Sequence, residues 1–294
     1  MASRRALRRQ ARLGILLLTA IVLSFASLQA QGGGGGAREI ALRIKPRVGD
    51  TIYTRFETQM EMVGSGKVGA SDTTVVERTS MLLLSRVMVL SADDGGTTVL
   101  TVTDSVAVTM SGGRVTGAPE ETRRALQGQR VRMRITPEGS ATLLEGPRGL
   151  SADFQSLVSQ MPAMLPKHAV SLGETWAQML TVPMARSADA DEGATLYVVY
   201  RLDSLAYGGN VAHISMRGTI TRDSTAADLP RGVKLITTGS IVGHLAVDRR
   251  RGWWMRSEAT YSMRSTFTPR RGGPGTPLQV VTTITQKMES RSEH

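Results

Sequence analysis

Apolar and polar residues alternate along most of the chain after residue 50, and this period of two is the strongest constraint on its fold. Between residues 51 and 62, one face carries the apolar side chains Ile52, Phe56, Met60 and Met62. The opposite face carries Tyr53, Arg55, Glu57 and Glu61. The same alternation sets Val131, Met133 and Ile135 against Arg130, Arg132 and Arg134. Because successive side chains of a strand point to opposite faces, the pattern predicts strands with one buried face.

Several of these alternating runs are near a dozen residues long, about twice the usual strand. Turn signals rich in glycine, such as those around Gly95, Gly139 and Gly252, separate them. Long neighbouring antiparallel strands with one apolar face predict a mainly β fold. We expect a large curved antiparallel sheet or half-barrel, with one amphipathic helix packed on it.

The amphipathic helix is predicted at residues 151–162. Ser151 is a good N-cap, and Pro162 ends the segment. An apolar stripe at helical spacing follows the cap and comprises Phe154, Leu157, Val158 and Met161. A second, shorter helix is predicted between Pro119 at its start and Gly128 just past its end.

One phrase occurs twice: VGDTIYT at residues 48–54 and LGETWAQ at residues 172–178. In both, a glycine and an acid precede a strand, and Ile52 and Trp176 are predicted to turn into the core. The phrases are offset by 124 residues, whereas the later glycines Gly139 and Gly252 are offset by 113. The glycine-rich stretch VGSGKVGASDT, predicted as a loop, accounts for the difference.

Two interpretations of this echo stay open. A duplication would divide one β-rich domain, residues 39–290, into halves at 39–150 and 167–290 joined by the helix 151–162. Alternatively, a simple meander places glycines between its strands without any duplication.

The N-terminus has the layout of an export signal. Five arginines and no acid precede an uncharged run from Leu13 to Leu28, and Ala30 offers a small residue for cleavage. We expect residues 1–30 to be removed, residues 31–38 to form a flexible glycine-rich leader, and the protein to be periplasmic or extracellular. The alternative is a retained N-terminal membrane anchor. The general secretory and twin-arginine routes are both compatible with these residues.

Composition excludes several classes of protein. The chain has no cysteine, so disulfides, thiolate metal sites and an N-terminal lipid anchor are excluded. The formal charge is +11, of which the arginines before residue 13 supply five. Such a mildly basic exported protein is not expected to bind nucleic acid, whereas anionic lipid or polysaccharide surfaces are plausible contacts.

No constellation points to catalysis, and we expect no enzyme, no metal and no cofactor. The four histidines have no metal-ligand spacing. The stretch Gly64–Gly69 matches G-x-G-x-x-G, but strand-like residues follow it where a nucleotide site needs a helix. A cofactor-free hydrolase stays open as a third function, because a pair of catalytic carboxylates leaves no signature in one sequence.

Residues 249–254, RRRGWW, place cations beside adjacent tryptophans. Because adjacent strand residues point to opposite faces, one indole is expected outside. The residues predicted to meet an anionic membrane surface are Arg249, Arg250, Arg251 and Trp254. The alternative is a hairpin turn with solvated arginines.

After the segment FQSLVSQMPAMLP, the spaced residues Pro166, Val170, Gly173, Glu174 and Trp176 resemble a bacterial exported β-rich family of unknown function. More distantly, the pattern is similar to periplasmic lipoprotein carriers and lipid-binding lipoproteins, which are half-barrels. This resemblance implies binding of a lipid or a lipidated partner, without covalent chemistry. The apolar ligand site is then expected to comprise Phe56, Met60, Phe154, Leu157, Met161 and Trp176. The alternative is a structural or interaction protein of the cell envelope with a filled core, and the oligomeric state stays open.

Overall fold

A computed structural model describes residues 39–68, 71–112, 118–146, 163–182, 194–224, 233–269 and 277–292. Most of these residues lie in eleven strands. The strands β1 to β11 are, in order, Thr51–Val68, Ser71–Asp93, Gly96–Ser111, Arg130–Ile135, Ala141–Glu145, Thr175–Val182, Ala194–Ala206, Val211–Ser224, Val233–Asp248, Trp253–Pro269 and Leu278–Ser292.

All eleven strands form one antiparallel sheet. Each strand pairs with its neighbour in the sequence, except that β1 pairs with β11 and β5 does not pair with β6. The order across the sheet is therefore β5-β4-β3-β2-β1-β11-β10-β9-β8-β7-β6, with β5 and β6 at opposite edges. The sheet does not close on itself. The predicted mainly β fold with one large antiparallel sheet is confirmed. The predicted helix at 151–162 and the N-terminal segments 1–30 and 31–38 lie outside the described residues.

The shorter predicted helix is present as α1, Ala118–Leu126. Glutamates in its first turn and arginines in its last turn complement the helix dipole. Gly128, with φ of 77°, ends it as predicted and donates its N–H to the carbonyl of Thr103 at 2.8 Å. This hydrogen bond brings α1 against the outer face of β3, where Val102 is buried.

One face of the sheet is apolar and lies inside its curvature. Along β4, Ile135 is buried and Arg130 and Arg132 are exposed, as the alternation predicts. Two glycines on this face are closely packed: a Cβ at Gly218 would lie 2.8 Å from Ile241, and one at Gly239 would lie 3.0 Å from Met263. Since no larger residue fits there, β8, β9 and β10 approach each other closely around the inner face.

The chain before β1 closes what we call the lower end of the sheet, where β1 and β6 begin. Its alternate residues Ile40, Leu42 and Ile44 are buried. The N–H of Ile44 donates to Pro137 O at 2.7 Å, and the N–H of Lys45 donates to Gly252 O at 2.9 Å. Residues 40–45 thus cross the lower end and tie the turns β4–β5 and β9–β10 together.

The repeated phrase forms the same turn twice, Arg47–Asp50 and Ser171–Glu174. In the first, Asp50 Oδ2 accepts the N–H of Arg47 at 3.0 Å, and in the second Glu174 Oε2 accepts the N–H of Ser171 at 2.7 Å. Gly49 and Gly173 have φ of 90° and 84°. We call these the strand-opening turns, and each is closed by its own carboxylate.

The glycine-rich insertion was predicted as a loop, and this is wrong in part. Residues 64–68 continue β1, which pairs with β2 up to Val68↔Ser71. The insertion therefore lengthens a hairpin. Alternation explains the outcome, since Gly64 and Gly66 occupy inner-face positions and Ser65 between them lies on the outer face.

Candidate functional site

The upper half of the inner face, away from the strand-opening turns, carries half-buried apolar side chains, with Glu77, Thr282 and Ser265 between them. The apolar side chains lie on four neighbouring strands, β2, β1, β11 and β10. We call them the upper inner surface, which comprises Met62, Val75, Met263, Phe267, Leu278 and Val280. Met62 and Met263 also pack against the buried core below. The apolar side chains of this surface are only partly covered by the described core residues.

Two glycines leave bare backbone within the upper inner surface. Among the atoms of the described residues, a Cβ at Gly64 would meet none nearer than Val75 O at 4.0 Å, so these residues leave the space above it open. At Gly66, the nearest atom is Leu278 Cδ1 at 3.1 Å, the end of a flexible side chain. Glycine within a strand often marks a place where a ligand approaches the backbone.

Directly below this surface, the inner face is filled by its own side chains. Met60, Tyr261 and Ile284 are buried in the row of cross-strand partners beneath Met62. Burial raises the pKa of Tyr261 and that of Tyr200 well above the usual tyrosine value. Both phenols are therefore neutral parts of the core at ordinary pH.

The structure describes three of the six residues predicted to bind an apolar ligand, and all three face inwards. Phe56 is half-buried on β1, and Met60 is buried one row beneath Met62. Trp176 is buried against Tyr200, with ring centroids 5.7 Å apart, and its Nε1–H donates to Met164 O at 3.1 Å. Trp176 is thus fully engaged by the lower core. Phe154, Leu157 and Met161 lie outside the described residues.

Polar atoms within the described interior are not all satisfied by protein partners. Thr58 Oγ1 and Gln178 Oε1 are buried and accept or donate no hydrogen bond within the described residues. An unpaired buried polar atom costs about 1–3 kcal/mol. These atoms therefore mark positions where a bound water or a polar group of a guest is stabilised.

The outer face has the opposite character. Ion pairs run across it on the same strands that carry the upper inner surface. They include Arg78–Glu61 at 2.6 Å, Lys287–Glu258 at 3.0 Å and Arg256–Glu289 at 2.9 Å. Apolar side chains on this face of the four strands include the half-buried cross-strand partners Val63, Val76 and Val281, which lie above the ion pairs.

The predicted membrane-contacting residues lie in the β9–β10 turn at the lower end. Arg250 and Arg251 are exposed, and Asp248 Oδ1 accepts both of their N–H groups at 2.9 Å. Arg249 is half-buried, because its guanidinium donates to Gly209 O. Trp254 is only 8% exposed and packs edge-on against Trp253. The indole predicted to lie outside is thus inside, because a bulge after Trp254 shifts the register of β10 against β9.

A shallow cleft lies beside this turn, between the lower ends of β1, β10 and β11. It encloses about 380 Å³, counting space open to solvent. Its walls include Asp50, Ile52, Arg251, Trp254, Ser290 and Ser292. Its small enclosed part suits ordered water better than a lipid chain.

Metal and catalytic chemistry find little support in the described residues. No group of three or more histidine, aspartate or glutamate side chains is arranged there to hold a metal ion. No helix within the described ranges has the length and apolar character needed to traverse a lipid bilayer. The closest approach of a histidine to an acid is that of His168 to Glu174, at 3.4 Å on the exposed lower end.

Residues 151–254, about a third of the chain, match a family of unknown function (DUF6263). No functionally curated protein matches the sequence. Among solved structures, the chain is similar to an outer membrane channel from Pseudomonas putida F1, with 9% identity, a TM-score of 0.21 and coverage of 88% of this chain and 100% of that one. It is also similar to a DUF1329 family protein from Desulfovibrio piger ATCC 29098, with 13% identity, a TM-score of 0.12 and coverage of 78% and 83%. At such low TM-scores these likenesses carry no argument for function. The chain is therefore similar, over residues 151–254, to a family of unknown function.

Proposed function

We propose that the protein is an exported, non-catalytic carrier that holds the acyl chain of a lipid or of a lipidated partner on the upper inner surface. The observation that carries this proposal is the contrast between the faces of four neighbouring strands. Their inner face offers half-buried Met62, Met263 and Phe267, whereas their outer face carries ion pairs.

The chemistry of the upper inner surface favours a flexible apolar guest. Methionine is unbranched and polarizable, so Met62 and Met263 adapt to chains of different shape. Open space above Gly64 lets such a chain lie directly on the strand backbone. A guest bound there would also bury the exposed parts of Leu278 and Val280, at about 25 cal/mol for each Å² removed from water.

The perturbed titratable groups support a non-catalytic role. Tyr200 and Tyr261 owe their raised pKa values to burial in the core. The lowered pKa values of Asp93 and Glu120 come from surface hydrogen bonds to Arg134 and Arg123. Each shift has a structural cause, whereas catalytic sites shift pKa values to serve a reaction.

A second function is favoured by the lower half of the inner face. There Ile44, Leu165, Leu202 and Val247 fill the space between the sheet and the segments that cross it. If the upper inner surface is filled in the same way, the protein is a structural or interaction component of the cell envelope.

Binding of a guest distinguishes these functions. We would purify the protein from an exporting bacterial host, extract it with organic solvent, and search the extract for lipid by mass spectrometry. A fluorescent fatty acid would then be titrated into the delipidated protein. The Gly64→Leu variant places a side chain in the open space and is expected to weaken probe binding roughly tenfold, through lost contact area.

Ser65→Leu is the matched control, because Ser65 occupies the outer face of the same strand. It is expected to bind the probe like the wild type. A lipid-free extract together with no probe binding would refute the carrier and favour the filled-core function. Turnover of generic ester or glycoside substrates would support a hydrolase instead.

A further inference from the structure

We propose that the lower end of the molecule docks on the surface of an anionic lipid bilayer through three apolar turn residues, Val48, Leu172 and Tyr207. This inference does not rest on the carrier function, because it concerns the opposite end of the sheet. The three residues are the most exposed large apolar side chains among those described, at 60%, 57% and 78%. Together we call them the lower tips.

All three lower tips belong to turns at one end of the sheet. Val48 and Leu172 stand at the same position of the two strand-opening turns, and Tyr207 opens the turn between β7 and β8. Hydrogen bonds connect these turns: Arg249 N–H donates to Asn210 O, Lys45 N–H to Gly252 O, and the backbones of Ile40 and Val170 pair. The tips are therefore carried by turns that a connected backbone holds at the same end of the sheet.

The local backbone conformation keeps each lower tip exposed. In the strand-opening turns, the carboxylates of Asp50 and Glu174 bond to the turn backbone, so the intervening Val48 and Leu172 face water. Tyr207 has φ of 52°, a left-handed conformation that is uncommon for a tyrosine. Asn210 holds it there, since Nδ2 donates to Tyr207 O at 2.8 Å. Apolar side chains fixed outwards in this way gain contact area when they enter the headgroup region.

Three exposed cations lie in or beside the turns that carry the lower tips. Arg47, Lys167 and Arg250 are exposed, and within the described residues their side chains form no ion pair. Of the carboxylates at this end, Asp50, Glu174 and Asp248 bond to backbone N–H groups and keep their negative charge, and Glu39 and Asp94 are exposed. Each cation near an anionic membrane strengthens binding roughly fivefold.

The connection to the rest of the chain agrees with this orientation. The described chain starts at Glu39, next to Ile40, whose backbone pairs with Val170 just before the second strand-opening turn. The point at which the described chain begins therefore lies at the lower end. An anionic bilayer is the partner to which both the apolar tips and the free cations are suited.

Vesicle sedimentation tests the proposal. The exported protein would be mixed with phosphatidylcholine vesicles and with vesicles containing about 30% phosphatidylglycerol. We expect binding to the anionic vesicles, with roughly tenfold weaker partitioning for the triple variant Val48→Ser, Leu172→Ser and Tyr207→Asn. Asparagine tolerates the left-handed conformation of residue 207, and a denaturation curve would verify that the variant is folded. All variants share the same N-terminus, so its contribution cancels.

Two controls separate the tips from general effects. Val242→Ser removes an apolar side chain that is 53% exposed on the outer face of β9, and it is expected to bind like the wild type. The pair Arg47→Gln and Arg250→Gln is expected to lose the preference for anionic vesicles. Equal partitioning of the wild type and the triple variant, or equal binding of the wild type to neutral and anionic vesicles, would overturn the proposal.

Discussion

The two strand-opening turns are nearly identical in their bonding, yet they serve strands in different positions. Arg47–Asp50 opens β1, which has β2 on one side and β11 on the other. Ser171–Glu174 opens β6, an edge strand whose partner is β7. The same type of turn therefore opens two kinds of strand. One is a central strand, β1, where the first and last strands pair, and the other is the edge strand β6.

The correspondence extends into the strand that follows each opening. Gly49 N–H donates to Val89 O at 3.0 Å, and Gly173 N–H donates to Leu202 O at 2.7 Å. Just after these acceptors the register shifts in both strands, between Val89 and Ser91 and between Leu202 and Ser204. The duplication itself stays a prediction. The comparison shows that local residues determine the hydrogen bonds of a turn. How much the turn contributes to the free energy of unfolding depends on what its strand contacts.

The largest expected difference lies at the residue that each turn directs into the core. Trp176→Ala removes a stacked, hydrogen-bonded indole and is expected to cost about 3–5 kcal/mol of unfolding free energy, against about 2 kcal/mol for Ile52→Ala. Urea denaturation measures both. An Ile52→Ala cost above that of Trp176→Ala would show that the position of the strand in the sheet outweighs side-chain size.

Replacing the turn glycines tests whether the two turns are equally strained. Gly49→Ala and Gly173→Ala each force an alanine to a φ near 90° and are expected to cost about 1–2 kcal/mol. Gly64→Ala is the control, because its added Cβ meets open space. Costs that differ between Gly49 and Gly173 would contradict the equivalence of the turns.

Removing the turn carboxylates tests whether the central strand β1 and the edge strand β6 respond differently. Asp50→Ala and Glu174→Ala each delete a charge-assisted hydrogen bond and are expected to lower stability by about 1 kcal/mol. Hydrogen exchange should accelerate within β6 for Glu174→Ala, because an edge strand opens by losing one ladder. Amides of β1 should stay protected in Asp50→Ala. Equal acceleration in both strands would remove the distinction.

Lowering the pH is expected to have the smallest effect on stability. It acts through Asp93 and Glu120, which both precede residue 150. Hydrogen bonds to Arg123 lower the pKa of Glu120 from 4.5 to about 2, and those to Arg134 lower the pKa of Asp93. A lowered folded-state pKa contributes stability above pH 4.5 that is lost as the pH falls towards 2. Glu120→Gln together with Asp93→Asn should flatten the dependence of the denaturation midpoint on pH between about 5 and 2. An unchanged slope would contradict this assignment.

Much of the architecture was predictable because it depends on short-range patterns. Alternation located the inward side chains of β1 and β4, and Pro119 with Gly128 bounded α1 correctly. The glycine-rich insertion was assigned to a loop because its glycines suggested a turn, whereas every second residue of Gly64–Lys67 simply occupies the inner face. Trp254 was placed outside because a bulge after it is not encoded by alternation.

The candidate surfaces were less predictable. Phe56, Met60 and Trp176 were correctly expected to face inwards, but nothing in the alternation separates the buried Met60 from the half-buried Met62. The lower tips Val48 and Leu172 were visible as the hydrophobe before each Gly-acid pair. Their meaning appeared only when the turns were found at one end of the sheet beside Tyr207.

The sequence by itself determined the class of fold, the faces of the strands and the positions of the turns. These follow from a side-chain period of two and from the few residues that tolerate positive φ. The pairing of β1 with β11, the close packing at Gly218 and Gly239, and the closure of the lower end by residues 40–45 were decided by the tertiary structure. Those features bring together residues distant in sequence, and the energy that selects them comes from shared burial, which no local pattern records.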